Sequence, residues 1–224
     1  MKVRDRDRYL SVLYAPAAVR PALLALHGLD LELAQVVAST SEPMLGEIRL
    51  AWWRDALTAL DGGQVPPQPL LALIAAEVLP RGVSGAELTA LEDRWLGLIG
   101  SDAVPESHFD GGGTLFALLA RIGGGDSAAA RRLGEAWAKG EPAQRESAQR
   151  ESAQRESAQR ESAQRESAQR ESAQGPVATP LRPLFGLVQL AARDAARARA
   201  GQEREARGST ARQLRLLASI VLGR

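Results

Sequence analysis

The sequence predicts an all-α fold, and three observations indicate it. Apolar residues recur at three- and four-residue spacing along most of the chain, which is the period of one helix face. Turn dipeptides flanked by alternating apolar runs, the signal of a β-hairpin, do not occur in it. Hydrophobic residues make up 45% of the chain but aromatic residues only 4%, which is typical of an Ala/Leu-rich helical protein. We therefore expect one helical domain, interrupted by an inserted repeat.

The first helices can be assigned from spacing and capping residues. A helix apolar nearly all round, and therefore central, is predicted from Pro21 to about Ala38. The next helix runs to about Leu60, with Ser41 as its expected N-cap and Pro43 in its first turn. Its apolar residues fall on two adjoining sides, one formed by Met44, Ile48 and Trp52 and the other by Trp53, Leu57 and Leu60.

The remaining helices are bounded by glycine, proline and capping residues. Helices are expected at about 70–79 and 84–100, and Ser84 with Glu87 forms a capping box for the second. We expect Gly111–Gly113 to open a helix that Gly123–Gly125 ends. The last predicted helices are listed here in order: 128–139, 184–207 and 210–222.

The last helix, 210–222, carries Leu214, Leu217 and Val221 on one side and Arg212 and Arg215 elsewhere. This pattern indicates a helix that packs on the domain. A basic amphipathic helix lying on a membrane surface is the alternative interpretation.

A tandem repeat interrupts the predicted domain. Residues 143–174 consist of Ala-Gln-Arg-Glu-Ser repeated six times and followed by Ala-Gln. A five-residue period cannot form a coiled-coil seam, and the repeat contains no core-forming face. Each Glu except the last precedes an Arg by four residues, which favours a helix; a solvent-exposed helix and a disordered insert both remain open. The expected organisation is a first part, 1–142, the insert 143–174, and the C-terminal helices of the same domain, 175–224.

Charge and rare residue types exclude several function classes. The chain has 28 Lys and Arg against 27 Asp and Glu, so we expect no nucleic-acid partner recruited by bulk positive charge. Without cysteine, it has no disulfide, thiolate metal site or Cys nucleophile. The two histidines, His27 and His108, are too few for a multi-His metal centre. We expect His27 to be a core residue of its apolar helix and His108 to face solvent.

No catalytic motif of a common class is recognisable. The chain contains no Gly-x-Ser-x-Gly motif and no P-loop. Neither Gly111–Gly113 nor Gly123–Gly125 follows a predicted strand, which argues against a dinucleotide fingerprint. The charged start of the chain does not have the pattern of a secretory signal, and no run of about 18 apolar residues is present. We expect a cytoplasmic protein, with contact at the inner face of the membrane left open.

Residues 8–57 carry the most specific pattern. Arg20–His27 reads Arg-Pro-Ala-Leu-Leu-Ala-Leu-His, and Ile48–Leu57 reads Ile-Arg-Leu-Ala-Trp-Trp-Arg-Asp-Ala-Leu. This order of parts resembles the squalene/phytoene synthase family. His108–Phe116 is similar to a glycine-containing segment of that family in degraded form, and Arg212–Leu217 is similar to the closing helix of its bacterial members. The resemblance covers residues 1–140 and, more weakly, 177–224.

The resemblance implies an isoprenoid-synthase-like helical domain around a central cavity. Synthases of this family join two prenyl diphosphates, and Mg²⁺ held by two Asp-rich motifs draws off diphosphate. Such chemistry needs carboxylate oxygens as metal ligands.

This chain departs from the family pattern at both motifs. By alignment the first motif falls on Ala34–Ala38, and the diphosphate-pairing arginine falls on Leu31. Asp30 and Glu32 are near but lie about 200° apart on a helix. The second motif should follow Leu133–Ala138, where the repeat begins instead. We therefore assign no catalytic, cofactor-binding or metal-ligating residue and expect no cofactor.

Three interpretations remain open. In the first, the chain is a non-catalytic protein, because Leu31–Val36 is most similar to the branch of respiratory complex I assembly factors. That branch implies an isoprenoid or other apolar ligand in the cavity, or a protein partner near the membrane. In the second, the chain is an active prenyl-diphosphate transferase that uses Mg²⁺. In the third, the repeat has left the cavity incomplete and the chain inactive.

Overall fold

The structure, a computed structural model, describes residues 5–140, 177–206 and 209–223. The repeat at 143–174 lies outside these ranges, so both interpretations of it stay predictions, as does the three-part organisation of the chain. Within the described ranges the chain forms nine α-helices and no strand, which confirms the all-α prediction. The helices are α1 (Arg6–Leu13), α2 (Arg20–Ser39), α3 (Pro43–Asp61), α4 (Pro69–Glu77), α5 (Gly85–Leu96), α6 (Glu106–Gly123), α7 (Ser127–Gly140), α8 (Arg182–Arg199) and α9 (Thr210–Leu222).

Helix α2 is the central element, as its sequence predicts. It contacts α1, α3, α4, α5 and α6, and Leu26, Leu29 and Leu33 are fully buried. By length and composition alone Ala17–Ser39 would qualify as a membrane-crossing helix, but 67% of its most apolar window is buried inside the domain. Core helices pass the same criterion, and the packing of α2 explains its apolar character.

Helix α3 differs from the prediction at its start. Its N-cap is Glu42, whose side chain makes no capping hydrogen bond, so the expected cap at Ser41 is wrong. Proline at the first helical position replaces a side-chain cap, because it has no N–H group to satisfy. Of its two apolar sides, the one formed by Met44, Ile48 and Trp52 faces solvent.

The triple glycine lies inside α6 and does not open it, so that prediction is wrong. Helix α6 begins five residues earlier than Gly111, at Glu106. These positions require glycine because neighbouring helices approach too closely for a side chain. A Cβ on Gly111 would lie 2.4 Å from the Cβ of Arg94, and one on Gly112 would lie 2.6 Å from the Cβ of Ala138.

The predicted cap of α5 is confirmed. Ser84 accepts a hydrogen bond from the Glu87 backbone N–H, and the Glu87 carboxylate accepts one from the Ser84 N–H. The helix ends at Leu96, earlier than the predicted residue 100. The expected glycine stop of α6 is also present, since Gly124 takes a left-handed conformation with φ of 76°.

The C-terminal helices pack on the domain, but by an unexpected face. Helix α9 has the predicted bounds, and its buried residues are Arg212, Leu216 and Ile220. Leu214 and Val221, which the pattern placed on the packing side, are 61% and 60% exposed. The predicted packing face is wrong because the helix buries the face that carries Arg212 instead of the face that carries Leu214. The partners of Arg212 are described below. Helix α8 ends at Arg199, well short of the predicted residue 207.

Candidate functional site

An ionic cluster surrounds Asp30 in the interior. Arg8 of α1 donates to Oδ2 of Asp30 at 2.6 Å, and Arg94 of α5 donates to both carboxylate oxygens at 3.1 and 3.2 Å. The indole N–H of Trp95 adds a hydrogen bond to Oδ1 at 2.9 Å. All four residues are buried, and Asp30 and Arg94 are fully so. We call these four residues the Asp30 cluster.

The Asp30 cluster controls the protonation of its carboxyl group. Burial acts to raise the pKa of Asp30, but the charges of Arg94 and Arg8 and the hydrogen bonds from Arg8 and Trp95 outweigh it. The pKa of Asp30 consequently falls to about 2. The carboxylate is therefore ionised at any physiological pH, and its charge is matched inside the protein.

Aromatic rings complete the surroundings of the cluster. The guanidinium groups of Arg8 and Arg94 each lie 4.7 Å from the ring centroid of Trp137 in α7. The Trp137 ring in turn stacks on Phe116 of α6, with centroids 5.0 Å apart. Cations at such distances are attracted by the face of an aromatic ring, so Trp137 helps to hold both arginines in the interior.

His108 belongs to this buried region, and the expectation that it faces solvent is wrong. It is 2% exposed, its Nδ1 lies 3.1 Å from the carbonyl oxygen of Arg94, and its ring meets that of Trp95 edge-on at 5.1 Å. The reason is the early start of α6, which places His108 in the first helical turn against α5.

A second ionic cluster joins the two ends of the described chain. Arg212 of α9 donates to Asp7 of α1 at 2.6 Å and to both oxygens of Asp194 in α8 at 2.6 and 2.8 Å. Arg204 adds a contact to Asp194 at 2.7 Å. Burial acts to lower the pKa of Arg212, but the hydrogen bonds to Asp194 and Asp7 raise it above its usual value. This guanidinium therefore stays charged and binds three helices together.

The resemblance places the family's first metal motif on Ala34–Ala38, where three residues are buried and apolar and two, Gln35 and Ala38, are exposed. Within Ala34–Ala38, the residues Ala34, Val36 and Val37 are at most 5% exposed. Leu31, aligned with the diphosphate-pairing arginine, is also buried. In residues 5–140, 177–206 and 209–223, no group of three or more His, Asp or Glu could hold a metal ion. The expected place of the second motif, after Ala138, falls largely in 141–176, outside the described residues.

A separate cavity has a volume of about 360 Å³. It forms where the end of α1, the first half of α2, the end of α6 and the start of α8 meet. Its lining residues are Ser11, Val12, Tyr14, Ala15, Pro16, Leu23, His27, Leu119, Gly123, Thr179, Pro180, Pro183 and Leu184. We call this space the α1–α8 cavity.

The α1–α8 cavity is mainly apolar. Its polar lining groups are the hydroxyls of Ser11, Tyr14 and Thr179 and the ring of His27, which is fully buried as its position in an apolar helix predicts. The resemblance implied a cavity, but no residue lining this one was predicted, because its walls come from four separate stretches of chain. Two prolines in the lining, Pro16 and Pro180, lie at the starts of short helical segments and were the local sequence signals for it.

The comparisons with known proteins concern the N-terminal part of the chain. The family model described as squalene/phytoene synthase matches residues 1–85. Proteins named NADH dehydrogenase (ubiquinone) complex I, assembly factor 6, are similar over 70 residues: the proteins of Bos taurus, Homo sapiens and Rattus norvegicus are 33%, 34% and 36% identical. Those residues are 31% of this chain, and the match spans only 21% of the length of each relative.

No solved structure shows a significant match to the chain. The matched segment, 1–85, holds α1 to α4 and thus both Arg8 and Asp30. Residues 1–85 of this chain are therefore similar to the squalene/phytoene synthase family.

Proposed function

We propose that this chain is a non-catalytic protein of the squalene/phytoene synthase type, which acts by binding and serves as an assembly factor. The observation that carries this proposal is the state of Asp30. Both of its carboxylate oxygens are engaged by Arg8, Arg94 and Trp95, although Asp30 is the buried acidic residue closest to the aligned metal motif.

A metal ion would have to displace those partners. Mg²⁺ is held by oxygen ligands, chiefly carboxylates and waters, in a nearly octahedral arrangement. The resemblance places the three aspartate positions on Ala34, Gln35 and Ala38, and none of these residues carries a carboxylate. The Asp30 carboxylate is already neutralised by two guanidinium groups. Without its ligands a metal site loses the Lewis acid itself, so diphosphate departure would have no assistance.

The similarity to assembly factor 6 supports a role in assembling respiratory complex I. The match spans about a fifth of each relative. The partner and the location of this chain are therefore proposed here and are not carried over from those relatives. We infer that it works in the cytoplasm or at the inner face of the membrane, with a protein partner or an apolar ligand.

In the source organism, deletion of the gene should reduce the amount of assembled complex I on native gels, and re-expression should restore it. An unchanged amount of complex I would contradict the assembly role.

The active transferase is the competing function, and the family match of residues 1–85 favours it. Incubation of the protein with farnesyl or geranylgeranyl diphosphate and Mg²⁺ distinguishes the two. We expect no release of diphosphate above a protein-free blank. Release that scales with protein concentration and stops when EDTA is added would establish the transferase instead.

A further inference from the structure

We propose that the α1–α8 cavity binds one uncharged molecule, consisting of a single apolar chain with a hydroxyl or carbonyl head group. This inference rests on the proposed function, since it names the ligand class of a protein that binds without catalysing. Three features of the cavity carry it: its volume, the absence of charge among its described lining residues, and the neighbouring arginines that are already engaged elsewhere.

The volume fits one short chain. Small-molecule sites typically measure about 300–1,000 Å³, and 360 Å³ is near the lower limit. A water-sized group occupies about 30 Å³ in a liquid, so the cavity holds roughly a dozen such groups. That number accommodates a ten-carbon chain with its head group, whereas two long prenyl chains side by side would not fit.

The lining is suited to an apolar chain. Val12, Leu23, Leu119 and Leu184 are all at most 7% exposed and form its inner wall. Burial of a chain against such residues is favourable by about 25 cal/mol per Å² of apolar surface. No residue among those described as lining the cavity is an aspartate, glutamate, lysine or arginine.

The cationic side chains near the lining residues are directed to other partners. Arg20 donates to the carbonyl oxygen of Ala15 at 2.8 Å, and Arg182 donates to those of Val177 and Val221 at 3.3 and 3.1 Å. Recognition of a phosphate or diphosphate relies on charge-assisted hydrogen bonds from such groups. Neither arginine is among the residues described as lining the cavity, so an anionic head group inside it would meet no guanidinium among those lining residues.

Neutral hydrogen-bonding groups are available instead. The Ser11 hydroxyl donates to the carbonyl oxygen of Arg8 at 2.8 Å, which leaves its oxygen able to accept from a ligand hydroxyl. Tyr14, which is 44% exposed, and Thr179, which is also exposed, place two further hydroxyls at the mouth. These groups match an alcohol or a carbonyl compound.

A matched pair of probes tests the proposal on the full chain. Isothermal titration calorimetry would compare 1-decanol with decyl phosphate, which share the apolar chain and differ in head-group charge. We expect saturable one-to-one binding of 1-decanol and at least tenfold weaker binding of decyl phosphate. Equal or tighter binding of decyl phosphate, or no saturable binding of 1-decanol, would overturn the proposal.

A variant that fills the cavity locates the binding. Gly123 lines the cavity, and a Cβ there meets no atom within 4 Å, so Gly123→Leu should occupy the space without disturbing the helices. We expect it to weaken 1-decanol binding at least tenfold with an unchanged helical circular-dichroism spectrum. The control is Ala76→Leu, at an exposed position on α4, which should bind as the unmodified chain does. Unchanged binding by Gly123→Leu would place the probe elsewhere and refute the proposal.

The two proposals can fail separately. Diphosphate release from a prenyl diphosphate with Mg²⁺ would overturn the non-catalytic function while leaving the 1-decanol result intact. Failure of 1-decanol to bind, with no diphosphate released, would remove only the ligand class assigned to the cavity.

Discussion

Arg94 has no exposed surface, and its charge is compensated by Asp30 and by the ring of Trp137. Replacement with Met keeps the apolar length of the side chain but leaves Asp30 with Arg8 as its remaining cation. Removal of one partner from a buried ion pair typically costs about 3–5 kcal/mol, and the presence of Arg8 favours the lower end. Urea unfolding of Arg94→Met should therefore show a free energy of unfolding about 3 kcal/mol lower than that of the unmodified chain.

A surface arginine provides the control. Arg121 forms an ion pair with Glu87 at 2.8 Å, but both side chains are about two-fifths exposed. Exposed pairs contribute about 0–1 kcal/mol, so Arg121→Met should lower the free energy of unfolding by less than about 1 kcal/mol. Equal losses in the two variants would show that burial of the Asp30 cluster has no energetic consequence.

The lowered pKa of Asp30 predicts an acid-dependent contribution to stability. The folded pKa is about 2 and an unfolded Asp titrates near about 3.9, so the folded state favours the ionised form. This contribution is complete above the unfolded value and disappears as the pH falls from about 4 towards 2. The difference in unfolding free energy between the unmodified chain and Asp30→Asn should be constant from pH 5 to 7 and shrink below about pH 4. A difference independent of pH down to 2 would contradict this assignment.

Single residues also show where sequence reasoning succeeds. Burial of His27 followed from the apolar residues around it in α2. Burial of His108 did not, because it depends on α6 beginning at Glu106, and the glycines downstream suggested a later start. The partners of Asp30 were likewise inaccessible from spacing, since Arg8 and Arg94 are 22 and 64 positions away.

Between elements, the contact of α6 with α7 depends on paired glycines. A Cβ on Gly134 would lie 2.2 Å from the backbone carbonyl oxygen of Gly112, a distance that only separation of the two helices can relieve. Overpacking of this kind costs about 1–3 kcal/mol, so Gly134→Ala should lower the thermal midpoint measurably.

The matched control for this contact is Gly123→Ala, in the same helix pair but with open space around the added methyl group. Because glycine in a helix costs about 0.5–1 kcal/mol relative to alanine, this variant should be neutral or slightly stabilised. Differential scanning calorimetry of both variants checks the prediction. A Gly134→Ala protein as stable as Gly123→Ala would show that the two helices do not pack closely.

Element positions were predictable to different degrees. The capping box at Ser84 and the bounds of α9 followed from local residue chemistry. The packing face of α9 did not, because periodicity treats an arginine as solvent-exposed, whereas Arg212 is 3% exposed between Asp7 and Asp194. Because Arg212 is buried against partners that are distant in the sequence, α9 packs by a different face from the one that apolar spacing predicts.

For the whole molecule, the fold class and the order of the helices could be derived from sequence, since both depend on local periodicity. The α1–α8 cavity could not, because its shape depends on how residues 11–16 and 179–184 meet after folding. The same limit applies to the Asp30 cluster, which α1, α2 and α5 build together. Sequence therefore indicated the family to which residues 1–85 are similar, and the structure supplied the Asp30 cluster and the α1–α8 cavity.

The repeat permits a test of its contribution to the domain. Shortening 143–174 to one Ala-Gln-Arg-Glu-Ser unit followed by Ala-Gln leaves every described helix intact in sequence. If the repeat adds nothing to the core, the thermal midpoint should change by less than about 2–4 °C, the shift that about 1 kcal/mol produces in a chain of this size. A larger fall would indicate that the repeat takes part in the packing of the domain.

The contact of Arg212 with Asp7 joins residues 205 positions apart and has a consequence for how the polypeptide can be divided. Helix α8 contacts α1 and α7, and α9 contacts α1 and α8, so we expect these contacts to hold both helices in place without a covalent link between residues 142 and 175. Two separately translated fragments, 1–142 and 175–224, should accordingly find each other and reconstitute the domain when produced together in one cell. Recovery of the untagged shorter fragment on a tagged longer one, and its loss with Arg212→Leu, would demonstrate such complementation.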